Sequence, residues 1–422
     1  MATGSSLSAF DAKEEDHAAP APYWDWDQNL TCPEVTDQHR AFRKTCRKFF
    51  EEEVAPYIDD WEEEGGFPEG LQEKAYEAGV YGASWPREYG GTFPAEEEWD
   101  PFFLYIFQDE LGRMCAGGLY ASLFTLGIGL PPILDQGTKE QKDLWVRDII
   151  KGKKTVSLAI TEPYGGSDVA NMRTSAVREG DHLIVNGNKT FISGGMHADY
   201  FTTGVRTGSN GIGGVSLLLI PRDLPGVTTS RLKTQGWHSS TTTTISFDGV
   251  KVPCWNLLGE EGKGFKPIML NFNNERFGLA VNACRMARCC IEDSVAYAKI
   301  RKTFGQPLMA HQVIRHKFAE MLRGTLATHS MVLEVARNMA FAARGAVSYE
   351  SLAAQMALLK VQATKNMEFC AREASQVLGG RSYLRGGKGV RIERVYREVR
   401  VYAIGGGSEE VMLDLASRQS KL

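Results

Sequence analysis

The chain has 422 residues, of which 43% are hydrophobic and 24% are charged. This composition is typical of a globular protein, and the length allows two or three domains. The formal net charge is -4, which excludes the global basic excess that favours binding to nucleic acid. We therefore expect neither a nucleic acid partner nor binding to a membrane.

Several common site motifs are missing from the sequence. The cysteines show no Cys-x-x-Cys or zinc-type spacing, which favours reduced thiols in an intracellular compartment. His311 and His316 are too far apart to share one turn of a helix face, and no metal site is predicted. The glycine-rich residues 208–214 and 386–389 lack the spacing of a Rossmann or P-loop motif.

The two ends of the chain carry separate predictions. Residues 1–34 are rich in Ala, Pro, Ser and acidic groups, so we expect a mobile arm. This segment has neither the apolar core of a signal peptide nor the pattern of a mitochondrial presequence. The residues Ser420-Lys421-Leu422 match the peroxisomal address S-K-L. We expect a peroxisomal protein, with the cytoplasm or the mitochondrial matrix as alternatives.

The hydrophobic periodicity divides the body of the chain into three parts. Residues 35–154 show helical spacing, with Phe42, Cys46, Phe49 and Val54 as an example. Residues 155–262 change to a period of two, which predicts antiparallel strands at about 182–187, 215–220 and 244–247. Turns are expected at 179–181, 186–188 and 248–249. Residues 263–422 return to helical spacing, with helices at about 265–303, 311–344, 348–379 and 408–417.

Residues 158–169 read LAITEPYGGSDV, and this segment resembles the signature of the acyl-CoA dehydrogenases. Further matching segments follow in the same order: GNKTFISG at 187–194, FDGVKVP at 247–253, RKTFG at 301–305, HQ at 311–312 and QVLGG at 376–380. The resemblance covers about residues 36–419. It implies an α+β fold with an N-terminal helical domain, a middle antiparallel β domain and a C-terminal four-helix-bundle domain.

The resemblance also implies an FAD site on the β domain. It assigns Thr161 to the flavin ring, Ser167 to the pyrophosphate and to substrate, and Phe191 and Ser193 to the other side of the ring. A glycine-flanked loop with hydroxyl groups suits such contacts, although taken alone it would be a polar turn. Further cofactor contacts are implied for Leu158, Ile160, Gly166 and Ile192.

In this family a neighbouring subunit completes the FAD site, so a homodimer or homotetramer is expected. Arg301 suits a phosphate because its guanidinium is always charged, but by itself it is equally a solvated cation at a helix end. Glu410 opens the last predicted helix, where a carboxylate also complements the helix dipole. The matched positions are Arg301, Thr303, Phe304, His311, Gln312, Gln376, Gly379 and Gly380, with Ser408 and Glu410 at the dinucleotide end.

The catalytic base is predicted to be Glu275. Many relatives carry a glutamate near the C-terminus, where this sequence has Gly406. A branch resembling isovaleryl-CoA and long-chain acyl-CoA dehydrogenases carries its glutamate before an arginine on the long helix, which Glu275-Arg276 matches. Glu275 also falls on an apolar stripe, where burial raises a carboxyl pKa. The alternative is that Glu275 only pairs with an arginine such as Arg276.

The expected activity is the FAD-dependent conversion of an acyl-CoA, branched or of medium to long chain, to a trans-2-enoyl-CoA. Glu275 takes the α-proton, the Gly406 N–H polarises the thioester carbonyl, and Asn273 and Arg276 lie near the CoA or the base. Electron-transfer flavoprotein or O₂ would accept the electrons. An acyl-CoA oxidase and a non-catalytic flavin-binding relative are the alternatives.

Overall fold

The computed structural model describes residues 32–93, 99–123 and 126–420. The predicted N-terminal arm therefore lies outside the described residues, except for its last three positions. Lys421 and Leu422 of the predicted targeting signal also lie outside them.

The N-terminal part of the chain is helical, and polar side chains start several of its helices. The Thr36 hydroxyl accepts from the His39 N–H, and the Asp100 carboxylate accepts from the Phe102 N–H. Such caps satisfy N–H groups that the first helical turn leaves free. The helices are α1 Asp37–Phe49, α2 Ile58–Glu64, α3 Leu71–Glu77, α4 Pro101–Gly112, α5 Leu126–Gly129, α6 Pro131–Gln136 and α7 Lys139–Ile150.

The middle part forms a twisted sheet whose strands are ordered β6-β7-β3-β2-β4-β5-β8, with β1 alongside β4. Most neighbouring strands are antiparallel, as expected, but β1 pairs with β4 in parallel, and so does β2 at one residue pair. The inner face buries residues such as Leu183, Phe201 and Ile245. The strands are β1 Val156–Ala159, β2 Ser175–Glu179, β3 His182–Ile192, β4 Tyr200–Arg206, β5 Val215–Pro221, β6 Val227–Arg231, β7 Thr243–Pro253 and β8 Leu257–Leu258.

Two of the predicted turns are wrong, because they lie inside long strands. Gly187 lies within β3 and Gly249 lies within β7, where the register between the two strands shifts. Gly249 has φ +59° and its N–H donates to the Asn186 side chain at 2.8 Å. Asn186-Gly187 and Asp248-Gly249 therefore lie opposite each other in a β-bulge. They do not end the strands, since both strands continue beyond the bulge.

The C-terminal part is a bundle of long helices. It buries Met286 of its first helix, Met321 of its second and Met367 of its third in one core. A short hairpin, β9 Lys302–Thr303 with β10 Gln306–Pro307, joins the first two helices. The helices are α8 Phe265–Ile300, α9 Gln312–Ala343, α10 Ala353–Leu378, α11 Val390–Ile404 and α12 Glu409–Gln419.

The sequence does not predict α11. Its apolar residues alternate with charged ones, which obscured the helical spacing of Ile392, Val395, Val399 and Tyr402. The predicted fold class, with helical, β and helical parts in this order, is confirmed. The domain boundaries at 154 and 262 stay predictions. Within the described ranges, no helix combines the length and the hydropathy needed to cross a membrane.

Two buried glutamates connect all three parts of the chain at one loop of the sheet. Glu62 of α2 accepts from the His238 N–H at 3.1 Å and from the Ser239 hydroxyl. Glu398 of α11 accepts from the Trp237 N–H at 3.3 Å. Both carboxylates are almost fully buried. The loop between β6 and β7 is thereby held from both helical sides.

Glu62→Ala is expected to destabilise the protein by about 3 kcal/mol, because it leaves buried donors of the loop without an acceptor. Glu63→Ala is the matched control: Glu63 is exposed and pairs with Arg385 on the surface, so its loss should cost within about 0.5 kcal/mol. Urea unfolding at pH 7 measures both. Equal effects of the two substitutions would contradict the role given to Glu62.

Candidate active site

Glu275 lies in the third turn of α8, on the side of the helix that faces the protein interior. The residues that follow it on this stripe, Leu279, Ala283 and Met286, are at most 1% exposed. Glu275 itself is half-buried. Burial raises the pKa of its carboxyl to about 7, against the opposing effect of the positive charges of Arg276 and Lys360. The carboxyl is therefore poised to exchange a proton near neutral pH.

Gly406 is a direct neighbour of this carboxyl group. A Cβ atom at position 406 would lie 4.0 Å from Glu275 Cδ and 2.9 Å from Leu279 Cδ1. The φ of Gly406 is +68°, a conformation that favours glycine. The structure thus places position 406 beside the Glu275 carboxyl, and a side chain at this position would press against Leu279.

Arg276 connects the base to the loop around Gly406. Its Nε donates to the Gly406 carbonyl at 2.9 Å, and its Nη1 donates to Asn273 Oδ1 at 2.8 Å. Arg276 and Asn273 are both buried. Arg276 is therefore not hydrogen-bonded to the Glu275 carboxylate. Its positive charge nevertheless acts to lower the pKa of Glu275.

Two residues beside Glu275 were not predicted from the sequence. The Tyr120 hydroxyl donates to the Glu275 carbonyl at 3.4 Å. Lys360 is fully buried, and its Nζ donates to the carbonyls of Ala403 and Gly407 at 2.7 and 2.8 Å. The sequence does carry a signal for Lys360, because it is a lysine on the apolar stripe of α10. A lysine without a partner is rarely buried.

The predicted flavin-facing residues lie on one end of the sheet. Thr161 and Ser167 belong to the loop after β1, and Phe191 and Ser193 come at the end of β3. The Thr190 N–H donates to the Thr161 carbonyl at 2.9 Å, which places the two segments side by side. Leu158, Ile160 and Ile192 lie in or beside these strands, and Gly166 lies in the loop near the Thr161 side chain.

This surface fits a large polar and aromatic ligand such as FAD. Phe191 is 66% exposed although it lies in β3 between two buried residues, and its φ is +58°. Ser167 and Gly166 are also exposed. The Thr241 hydroxyl, near Gly194, is buried and has no hydrogen-bond partner among the described residues. The exposed aromatic ring of Phe191 and the exposed Gly166-Ser167 segment are therefore accessible to a ligand.

The positions predicted to act on a neighbouring subunit's FAD lie on the surface of this subunit. Phe304 is 98% exposed with φ +50°, and the Thr303 hydroxyl is 3.0 Å from His311 Nε2. Within the described part of the chain, no hydrogen bond joins them to the Thr161 loop. Exposed as well are Arg301, Gln312, Gln376, Gly379 and Gly380.

The remaining predicted cofactor residues start the last helix. The Ser408 hydroxyl caps α12 by accepting from the Val411 N–H. Glu410 is exposed in the first turn, where its own backbone N–H and Ser408 lower its pKa. These contacts are compatible with capping as well as with a cofactor role.

Comparison with known proteins places this chain in a family. Models of the acyl-CoA dehydrogenase N-terminal, middle and C-terminal domains match residues 36–153, 157–250 and 262–421. An acyl-CoA dehydrogenase of Alternaria alternata is 37% identical over 402 residues, which cover 91% of this chain and 92% of the relative. The short-chain specific acyl-CoA dehydrogenase of Bos taurus is 31% identical, with 93% of each chain covered.

The fold shows the same relationship. The crystal structure of a probable acyl-CoA dehydrogenase from Mycobacterium abscessus matches with a TM-score of 0.85 and 38% identity, covering 92% of this chain and 99% of that one. The chain therefore belongs to the acyl-CoA dehydrogenase family, whose members are flavin-dependent oxidoreductases that bind FAD. The predicted family, enzyme class and cofactor are confirmed.

Glu275→Gln is expected to stabilise the protein above pH 7. The folded carboxyl has a pKa of about 7 and the ordinary value is 4.5, so the folded state binds more protons between these values and stability falls as pH rises. Above pH 7 the full cost of the buried charge is present, about 2 kcal/mol for a partly exposed group. Urea unfolding at pH 5 and pH 8 measures it. A constant difference between variant and parent would contradict the assigned pKa.

Gly406→Ala is expected to destabilise the protein by about 2 kcal/mol, because its φ is positive and its Cβ would approach Leu279 too closely. Gly405→Ala is the matched control, since Gly405 has φ -60°. Its Cβ would lie 3.1 Å from the Val401 carbonyl, so a smaller loss is expected. Thermal unfolding of both variants measures the difference, and equal losses would argue against the packing at Gly406.

Proposed function

We propose that this acyl-CoA dehydrogenase converts an acyl-CoA thioester to a trans-2-enoyl-CoA, with Glu275 as the base that removes the α-proton. The observation that carries the proposal is the proximity of Glu275 to Gly406, since a Cβ atom at position 406 would lie 4.0 Å from Glu275 Cδ. The carboxyl reaches, from α8, the place at which many family members present a glutamate from the loop after α11. Bound FAD would supply the hydride acceptor for the β-carbon.

The surroundings of Glu275 support a role in proton transfer. Burial brings its pKa to about 7, so at neutral pH a substantial fraction is ionised and can accept a proton. Arg276 and Lys360 oppose this rise, which keeps the carboxyl from being fully protonated. The alternative, in which Glu275 has only a structural role as the partner of Arg276, is not favoured, because Arg276 donates its hydrogen bonds to Gly406 and Asn273.

The Gly406 N–H is the proposed donor to the thioester carbonyl. Within the described part of the chain, this N–H donates to no protein acceptor, whereas the Gly405 N–H bonds the Val401 carbonyl at 2.7 Å. A hydrogen bond to the carbonyl stabilises the negative charge that develops as the α-proton leaves. Lys360 and Arg276 hold the loop through its carbonyls, so the N–H has a fixed direction.

The finer identity of the enzyme is also part of the proposal. We assign it to the isovaleryl-CoA and long-chain branch because of Glu275, with a branched or medium to long acyl group as substrate. Electron-transfer flavoprotein is the proposed acceptor. The exposed Phe304 and Gln376 support a homodimer or homotetramer in which they complete the partner's FAD site. Peroxisomal targeting by Ser420-Lys421-Leu422 stays a prediction.

Glu275→Gln is expected to keep FAD bound but lower kcat at least about 1000-fold, since a neutral amide cannot take the proton. Glu292→Gln is the control, because Glu292 is exposed on the same helix and should leave kcat unchanged. A panel of straight and branched acyl-CoAs with an artificial acceptor measures turnover and identifies the acyl group. Turnover near the parental rate in Glu275→Gln would exclude it as the base.

A further inference from the structure

We propose that Lys189, together with Glu162, is a positioning pair for FAD that fixes the Thr161 loop against the end of β3. The inference rests on the FAD site of the proposed function and on the flavin-facing roles predicted for Thr161, Phe191 and Ser193. Neither Lys189 nor Glu162 would touch the cofactor. Both would act through the backbone of the residues that do.

Lys189 bonds the chain on both sides of Thr161. Its Nζ donates to the Ile160 carbonyl at 3.0 Å and to Glu162 Oε1 at 2.8 Å. The next residue of β3, Thr190, donates its N–H to the Thr161 carbonyl at 2.9 Å. Three consecutive residues of the loop are thus bonded to two consecutive residues of β3, and the loop cannot shift without breaking these bonds.

Glu162 extends the same network to the far side of the loop. Its carboxylate accepts from the N–H groups of Arg173 and Thr174 at 2.6 and 2.8 Å. The Glu162 N–H and carbonyl also exchange hydrogen bonds with Gly165, which closes the turn that leads to Ser167. The Glu162 carboxylate therefore connects the start of the loop, near Thr161, with its end at Arg173 and Thr174.

The pair is unusual because it is buried and charged. Lys189 is 0% exposed and Glu162 is 4% exposed. Burial lowers the pKa of Lys189 to about 8 despite the charge of Glu162, so the amine is still protonated at neutral pH. Burial also acts to raise the pKa of Glu162, but Lys189 and the loop N–H groups outweigh it and lower that pKa. Buried ion pairs often add little stability compared with apolar residues, which favours a role in geometry.

The backbone of β3 is irregular just after Lys189. Residues 189 and 191 would normally face the same side of a strand. Here the register with β7 shifts between Lys189 and Ile192, and Phe191 takes φ +58°. Lys189 consequently points into the interior while the Phe191 ring is 66% exposed. The buried amine anchors the strand at the place where it turns its ring outward.

The test measures FAD binding to apoprotein without any acyl-CoA, so its result is independent of the role of Glu275. The test variant is the double variant Lys189→Met/Glu162→Gln, which leaves no buried charge unpaired. Flavin fluorescence on reconstitution gives the FAD Kd, and thermal unfolding of the apoprotein reports folding. We expect the double variant to fold and its FAD Kd to rise about tenfold or more, with a changed visible spectrum of the bound flavin.

Lys154→Met is the matched control. Lys154 pairs with Asp199 at 2.8 Å just before β1, but both residues are partly exposed. Its FAD Kd should equal that of the parent. The proposal is overturned if the double variant binds FAD within about twofold of the parent, or if Lys154→Met weakens binding as much. It is also overturned if the double variant does not fold, because the pair would then serve folding and not the position of the loop.

Discussion

Burial of the apolar stripe of α8 is the constraint on which the rest of the structure depends. This helix packs against both α4 and α10 within a single core that also contains Ile106 and Met367. A helix with neighbours on both sides cannot rotate, since rotation would expose residues that are now at most 1% exposed. The direction of the Glu275 side chain follows from this packing, so the base is positioned by the core of the protein.

The same packing sets the electrostatics of the site. Glu275 lies in a region that water reaches only in part, and its pKa rises for that reason. The nearby cations do not bond the carboxylate; Lys360 and Arg276 bond the carbonyls of Gly407 and Gly406 instead. The two cations hold the loop around Gly406, and their charges also limit the rise in the pKa of Glu275. The glycine at 406 leaves space beside the carboxyl that a side chain would occupy.

The β part of the chain has several residues with uncommon backbone angles, and two of them lie in the loop that meets both helical parts. Phe191, Trp237 and Thr241 all have positive φ, which is uncommon for residues with side chains. Trp237 packs edge-on against Tyr402 at 5.3 Å, and its loop is held by Glu62 and Glu398. Such conformations persist because buried hydrogen bonds on either side determine them. The charged pair of Lys189 and Glu162 does the same for the neighbouring loop.

The sequence by itself determined the order of helical and β parts, the segments near 161 and 191, and Glu275 as an acid on an apolar stripe. These follow from periodicity and local motifs, which depend on neighbours along the chain.

Other features depended on contacts between distant segments. Asn186-Gly187 and Asp248-Gly249 read as turns but form a bulge, because β3 and β7 pair on both sides of it. Only the tertiary structure decided that Gly406 lies against Glu275, that Lys360 and Tyr120 adjoin it, and that Lys189 is buried with Glu162. Those contacts join residues far apart in sequence, and packing of the whole core, which no local pattern encodes, brings them together.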